Sequence, residues 1–304
     1  MIELARSSVQ TWECDQMGHM NVQIYVEKAS DALAAFGAAI GLGPKKLAHR
    51  GLVLEPADHH IRFLRELRPG TPYFLRGGAV KADIMALTAY AELVQTASGE
   101  VAATFRTVAH LRNRADGGID GFEDGVRAMA MHHAVEVPTH GTPRGLTMDA
   151  PRDPAPTLAD ADRLGMIPTF EGVVRTSDCD EKGEMIPRAF MARVSDSIPN
   201  LLVQTSGRNR GDDTDVGGAA LEYRFIYRAR PRPGDILCVR SGLRAIGGKT
   251  YQWVHWLFDV ETGAAIATCE AVAVAMDLKA RKAIALPDEL RARLEPLVID
   301  GLSV

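Results

Sequence analysis

Residues recur along this chain at an almost constant offset, and that repetition limits its fold more than any other feature. Cys179, Asp180, Gly183 and Ser195-Asp196 lie 165 positions beyond Cys14, Asp15, Gly18 and Ser30-Asp31. Arg232-Pro233-Gly234, Gly263 and Thr268 lie 164 positions beyond Arg68-Pro69-Gly70, Gly99 and Thr104. A single change of register is what one deleted loop residue produces. The chain therefore reads as two homologous units in tandem. Two copies indicate a duplication, because a solenoid needs about three or more repeats to bury its faces. A length of 304 residues agrees with about two domains.

Within each copy the hydrophobic period changes from helical to alternating. In the first, Leu4 to Trp12 reads as a strand that enters a polar turn. Ala29, Ala32, Leu33, Phe36 and Ile40 then fall on one helical face between Tyr25 and Ile40, and Gly41-Leu42-Gly43-Pro44 is a stop signal. Four alternating segments follow: His59 to Leu67, Tyr73 to Asp83, Ala86 to Thr96 and Val101 to Leu111. The second copy repeats the order with a helix from Pro187 to Gln204, where Pro199 predicts a kink or an early end. Its strands are Leu221 to Ala229, Asp235 to Ala245, Tyr251 to Val260 and Ala264 to Leu278. One helix and about five strands joined by hairpin turns predict an α+β unit, an antiparallel sheet with the helix on one face.

Between the copies, Pro138, Pro143, Pro151, Pro154 and Pro156 exclude regular structure over most of the stretch. The expected organisation is a first domain over residues 1–135, a crossover over 136–165 and a second domain over 166–304. Short helices are expected near Gly121 to His133 and Pro287 to Leu297.

The polar turn is Asp15-Gln16-Met17-Gly18-His19-Met20-Asn21, followed by Tyr25 on the helix. An acid, an imidazole and a carboxamide at a helix mouth suit chemistry on a carbonyl. The unpaired N–H groups there and the helix dipole favour developing negative charge. In the second copy His19 is replaced by Glu184, Asn21 by Ile186 and Tyr25 by Phe190, while Asp180 and Gly183 persist. One intact site and one degenerate site per chain are expected.

The pattern Asp15-x-x-Gly18-His19-x-Asn21-x-x-x-Tyr25 resembles the signature of hotdog-fold acyl-CoA thioesterases of the 4-hydroxybenzoyl-CoA thioesterase type, and Arg68-Pro69-Gly70 is similar to a later segment of that family. The resemblance covers residues 1–112 well and 169–290 more weakly. It implies two tandem hotdog domains, each a sheet wrapped on one central helix. The two would form the pseudo-dimer that single-domain members make from two chains, with sites between paired units. It also implies hydrolysis of an acyl-CoA to free acid and coenzyme A, with no cofactor.

Two readings of several residues stand open. Asp15 is the candidate general base or nucleophile, or a helix cap. His19 and Asn21 orient water or donate to the thioester oxygen, or else hold the turn. Gly18 permits close approach or positive φ. Tyr25 lines the acyl pocket or fills the core. Glu27 is an alternative acid or a solvated residue. Arg62, Arg65 and Arg68, spaced by three, meet coenzyme A phosphates or charge a sheet edge. A backbone N–H at the helix N-terminus is the expected oxyanion donor.

Composition narrows the partners. A formal charge of −4 and a pI near 6.2 argue against nucleic acid and membrane surfaces. No apolar run approaches the ~18 residues of a membrane span, and the N-terminus lacks a signal-peptide pattern. Cys14, Cys179, Cys238 and Cys269 have no metal or redox spacing, and His59-His60 and His132-His133 lack further ligands. A cytoplasmic protein with reduced thiols and no metal is expected, with acyl-CoA as partner and the fused pair open to homo-oligomerisation. The competing functions are enoyl-thioester hydration, whose Asp-x-Asn-Pro-x-His motif is absent, and acyl-CoA binding without turnover.

Overall fold

The periodicities appear as elements in both copies of a computed structural model that describes residues 1–207 and 216–304. The chain divides into two units, Met1–Pro143 and Arg144–Val304. In the first unit β1 (Ile2–Ser8) precedes the polar turn and α1 (Val22–Ala39) follows it. Then come α2 (Pro44–His49), β2 (Leu52–Phe63), β3 (Pro72–Ala82), β4 (Leu87–Gln95), β5 (Val101–Asn113), the two-residue β6 (Ile119–Asp120) and α3 (Asp124–His132). All principal pairings are antiparallel, β1 with β3, β3 with β4, β4 with β5 and β5 with β2. Leu33 and Phe36 of α1 pack with Leu87, Ala89, Ala109 and Leu111 of the sheet. Each such large apolar side chain contributes about 1.5–3 kcal/mol on burial.

The second unit opens with α4 (Leu158–Arg163) and β7 (Ile167–Val173), then α5 (Pro187–Ser206) and β8 (Val216–Tyr227). It continues with β9 (Ile236–Ile246), β10 (Thr250–Asp259), β11 (Ala265–Asp277), the short β12 (Lys282–Ala283) and α6 (Asp288–Leu294). Its ladder is β7 with β9, β9 with β10, β10 with β11 and β11 with β8, again antiparallel. The strand–helix–four-strand order is that of the first unit, and both are hotdog units. Val254, Trp256 and Phe258 pack with Ala161 of α4 and with Leu302. Side chains alternate along a strand, so His255 lies on the opposite face.

Several expectations change, and β2 starts at Leu52 and stops at Phe63 rather than running from His59 to Leu67. The first strand stops at Ser8 rather than Trp12, because the Gln10 N–H donates to Glu13 Oε2 at 2.8 Å and draws Thr11–Glu13 into a 3-10 turn. After the stop at Gly41-Leu42-Gly43, the chain re-enters a helix with Pro44 in its first turn. Pro199 does not shorten α5, which runs on to Ser206 and ends at Gly207 with φ 66°. One missing donor is outweighed by anchors on either side of that last stretch, Asn200 Nδ2 to Thr169 O and Gln204 Nε2 to Pro168 O, each 2.9 Å.

The Pro-rich stretch is irregular between its short helices but held to the sheets. In the first unit Arg62 donates to Thr139 O at 3.2 Å and Thr142 O at 2.8 Å, and His140 Nε2 lies 2.7 Å from Glu92 Oε1. In the second, Arg224 donates to Thr147 O at 3.0 Å and Asp149 O at 2.8 Å. No helix among the described residues is long and apolar enough to cross a membrane.

Candidate active site

The polar turn is built by its own backbone. Asp15 N donates to His19 O and Gly18 N to Asp15 O, both 3.0 Å, and Gly18 takes φ +73° to close the loop. A side chain at that φ is strained, which accounts for glycine at this position and at Gly183 (φ 75°). Met20 N donates to Leu67 O at 2.8 Å, which ties the turn to the segment that ends in Arg68-Pro69-Gly70.

The helix cap is Asn21, not Asp15. Asn21 Oδ1 accepts from Gln23 N at 3.1 Å, and its carbonyl accepts from Ile24 N at 2.9 Å. Asp15 Oδ1 instead accepts from Met17 N at 2.9 Å, within the turn. In the second unit Asp180 Oδ1 accepts from Lys182 N at 2.9 Å and Glu184 N at 3.0 Å. Persistence of the acid in both copies therefore has a structural basis. The helix of the second unit begins at Pro187, and its cap position, Ile186, offers no side-chain acceptor.

Asp15, His19 and Glu66 form a row. His19 Nδ1 lies 3.4 Å from Met20 O and 3.7 Å from Asp15 Oδ1, and its Nε2 lies 3.9 Å from Glu66 Oε1. The Asp15 side chain is only 9% exposed. Glu66 Oε2 is 4.0 Å from Arg68. Sequence reasoning passed over Glu66. It could have been found by extending the repeat two positions before Arg68-Pro69-Gly70, where the second copy has Arg230.

Tyr25 is buried and meets Phe63 edge-on, with centroids 5.0 Å apart at 82°. Phe190 and Tyr227 repeat that pair at 5.2 Å and 78° with the hydroxyl on the other partner. The ring is thus a packing element in both units. Burial pushes the Tyr25 phenol well above the ordinary tyrosine range. The three arginines do not converge. Arg62 is committed to two carbonyls, Arg65 pairs with Glu100 at 2.6 Å, and Arg68 stands beside Glu66. Glu27 is in an ion pair with Lys28 at 3.1 Å.

Lys28 staples the turn to the helix, with Glu13 at 3.2 Å and Asp31 at 3.8 Å. Burial alone would push its ammonium down, but Glu27, Tyr73 and Glu13 outweigh that and hold it above the ordinary lysine range. Arg193 with Asp178 and Asp196 forms the equivalent cluster in the second unit. Lys28→Met is expected to destabilise the chain by about 2 kcal/mol, since it leaves the mostly buried Glu13 without its cation, though part-exposure keeps the loss below that of a fully buried pair. A denaturation midpoint unchanged from wild type at equal slope would show that the cluster contributes nothing.

Beneath α1 lies a crevice lined by Leu4, Ala29, Ala32, Phe36, Ala91 and Phe105. Ala29 is seven residues into the helix, about 10 Å along its axis from the turn. All four cysteines are free. Among the described residues no group of three His, Cys, Asp or Glu side chains is placed to hold a metal ion.

A sequence profile of the thioesterase-like superfamily matches residues 9–140 and 174–294. No curated protein sequence matches the chain. Among solved structures, a protein labelled an oleoyl thioesterase from Lactobacillus plantarum is similar, with TM-score 0.67 and 12% identity over 89% of this chain and 94% of that one. An acyl-ACP thioesterase from Bacteroides thetaiotaomicron has TM-score 0.66 and 11% identity, covering 88% and 96%. A 12:0-ACP thioesterase from Umbellularia californica has TM-score 0.62 and 11% identity, covering 89% and 96%. At such identities the likeness is one of fold.

Proposed function

The chain belongs to the thioesterase-like superfamily and is a thioester hydrolase, and on that premise we propose that it cleaves an acyl-CoA to the free acid and coenzyme A in its first unit. The observation that carries this reading is the nearly buried Asp15 carboxylate, held beside His19 in the turn that opens α1. Asp15 takes a proton from the water that attacks the thioester carbon, or attacks that carbon itself to give a mixed anhydride that water then opens. Either route breaks the C–S bond, and the coenzyme A thiolate leaves and takes up a proton. A positioned base typically contributes about 10²–10⁴-fold.

The oxyanion donor we assign is the Val22 N–H. Gln23 N and Ile24 N both donate to Asn21, and Val22 carries the first N–H of the helix. His19 supports the carboxylate, and Asn21 shapes the helix mouth as its cap. Gly18 provides the turn, and Tyr25 holds the helix against Phe63. The acyl chain is directed toward the small crevice under α1, which must widen to receive it. Arg65 and Arg68, both largely exposed, are assigned the phosphates of coenzyme A. Arg62, the third of the set, is bonded to Thr139 O and Thr142 O. The second unit, with Glu184 for His19 and Ile186 for Asn21, completes the fold and does not turn over.

Thiol release from a panel of short, branched, long and aromatic acyl-CoAs tests the reading. Release from at least one class is expected. A folded protein that releases thiol from none would overturn it, and loss of enoyl-CoA absorbance without thiol release would favour hydration.

A further inference from the structure

We propose that Glu66 is a positioning residue for hydrolysis, holding the His19 ring from its Nε2 side while Asp15 and Met20 O hold the Nδ1 side. The inference rests on the reading of Asp15 and His19 as the hydrolytic pair. Both ring nitrogens face acceptors, at 3.4 and 3.7 Å on one side and 3.9 Å on the other. Acceptors on both sides favour the ring orientation that turns Nδ1 toward the Asp15 carboxylate over the flipped one, which would put ring C–H groups against them. The second-nitrogen partner decides which proton a histidine presents to its functional neighbour.

The repeat supplies an independent observation. Met20 N to Leu67 O and Met185 N to Pro231 O are the same bond, 2.8 Å in each unit, so the segments that carry Glu66 and Arg230 meet their turns in the same register. Across these positions the residue types differ. The first unit pairs His19 with Glu66, whereas the second has Glu184 beside Arg232 at 3.9 Å, with Arg230 at the Glu66 position. The carboxylate at position 66 and the histidine at position 19 are both replaced in the unit that lost the motif.

Glu66→Gln, Glu66→Asp and Glu66→Arg test this. Thermal stability of each variant guards against misfolding. Glu66→Gln is expected to lower kcat about ten-fold with KM changed less than about two-fold. Glu66→Asp should recover most of that loss, and Glu66→Arg, which copies the second unit, should be the slowest. The ¹⁵N resonances of the His19 ring, read by NMR, are expected to move in Glu66→Gln. A purely structural surface acid would leave them in place. Unchanged kcat together with unchanged His19 resonances overturns the proposal. The NMR arm does not need turnover, so absence of thiol release by wild type would sink the hydrolytic reading while the His19 resonances still decide for or against Glu66 as its holder.

Discussion

Asp15→Asn is expected to slow thiol release from the best acyl-CoA by about 10²–10⁴-fold, the range that loss of a positioned base produces. The substitution is nearly isosteric. An asparagine side-chain oxygen can still accept from Met17 N, the bond Asp15 Oδ1 now makes at 2.9 Å. The turn is therefore kept while the charge is removed, and the melting temperature should stay close to wild type. Asp180→Asn makes the same change in a turn that has Glu184 in place of His19, and its rate should remain within about two-fold of wild type. Steady-state thiol release by both variants separates the two units. Equal loss in both would show that the second unit works despite its altered motif, and retention in Asp15→Asn would remove the central acid from the mechanism.

The second large effect is on stability and depends on pH. His255 is fully buried in β10, and its Nδ1 lies 2.8 Å from Ser241 Oγ, which is 2.9 Å from Thr169 Oγ1. Cys269 stands opposite it on β11. Burial pushes the imidazole down to about 4. The unfolded chain, with an ordinary histidine near 6.5, therefore binds this proton at higher pH than the folded chain does. Stability from the neutral ring is complete above about pH 6.5 and is lost as pH falls toward 4, at up to ~1.4 kcal/mol per pH unit, on the order of 3 kcal/mol in all. Glu270, raised by burial, acts in the opposite sense, so the wild-type slope alone mixes groups. Chemical denaturation from pH 7 to 4 with wild type and His255→Gln isolates the histidine. The variant should lose less stability over that window, and parallel curves would show that His255 does not titrate on unfolding.

These two effects differ in how far they could be read from the chain. The Asp15 turn was legible because its polar residues are consecutive, and because the repeat offset shows which of them the second copy lost. The candidate acid, the histidine and the asparagine all came from one local stretch. Asn21 as the cap rather than Asp15 was open in the sequence, since both residue types cap helices. The choice was made by where α1 begins, one residue after Asn21. His255 gave no sign of its environment. Its burial follows from pairing with Ser241 on one side and Cys269 on the other, contacts between segments 14 residues apart in each direction.

By itself the sequence determined the duplication, the helix-plus-strands order of each unit and the loss of the motif in the second, because these depend on local periodicity and on comparing one half of the chain with the other. The tertiary structure alone decided that Glu66 faces His19, that Lys28 joins Glu13 to Asp31, and that Tyr25 and Tyr227 exchange one hydroxyl across equivalent ring pairs. Contacts of that kind depend on which strand ends meet which turns, and strand register is a property of the assembled sheet rather than of any segment within it.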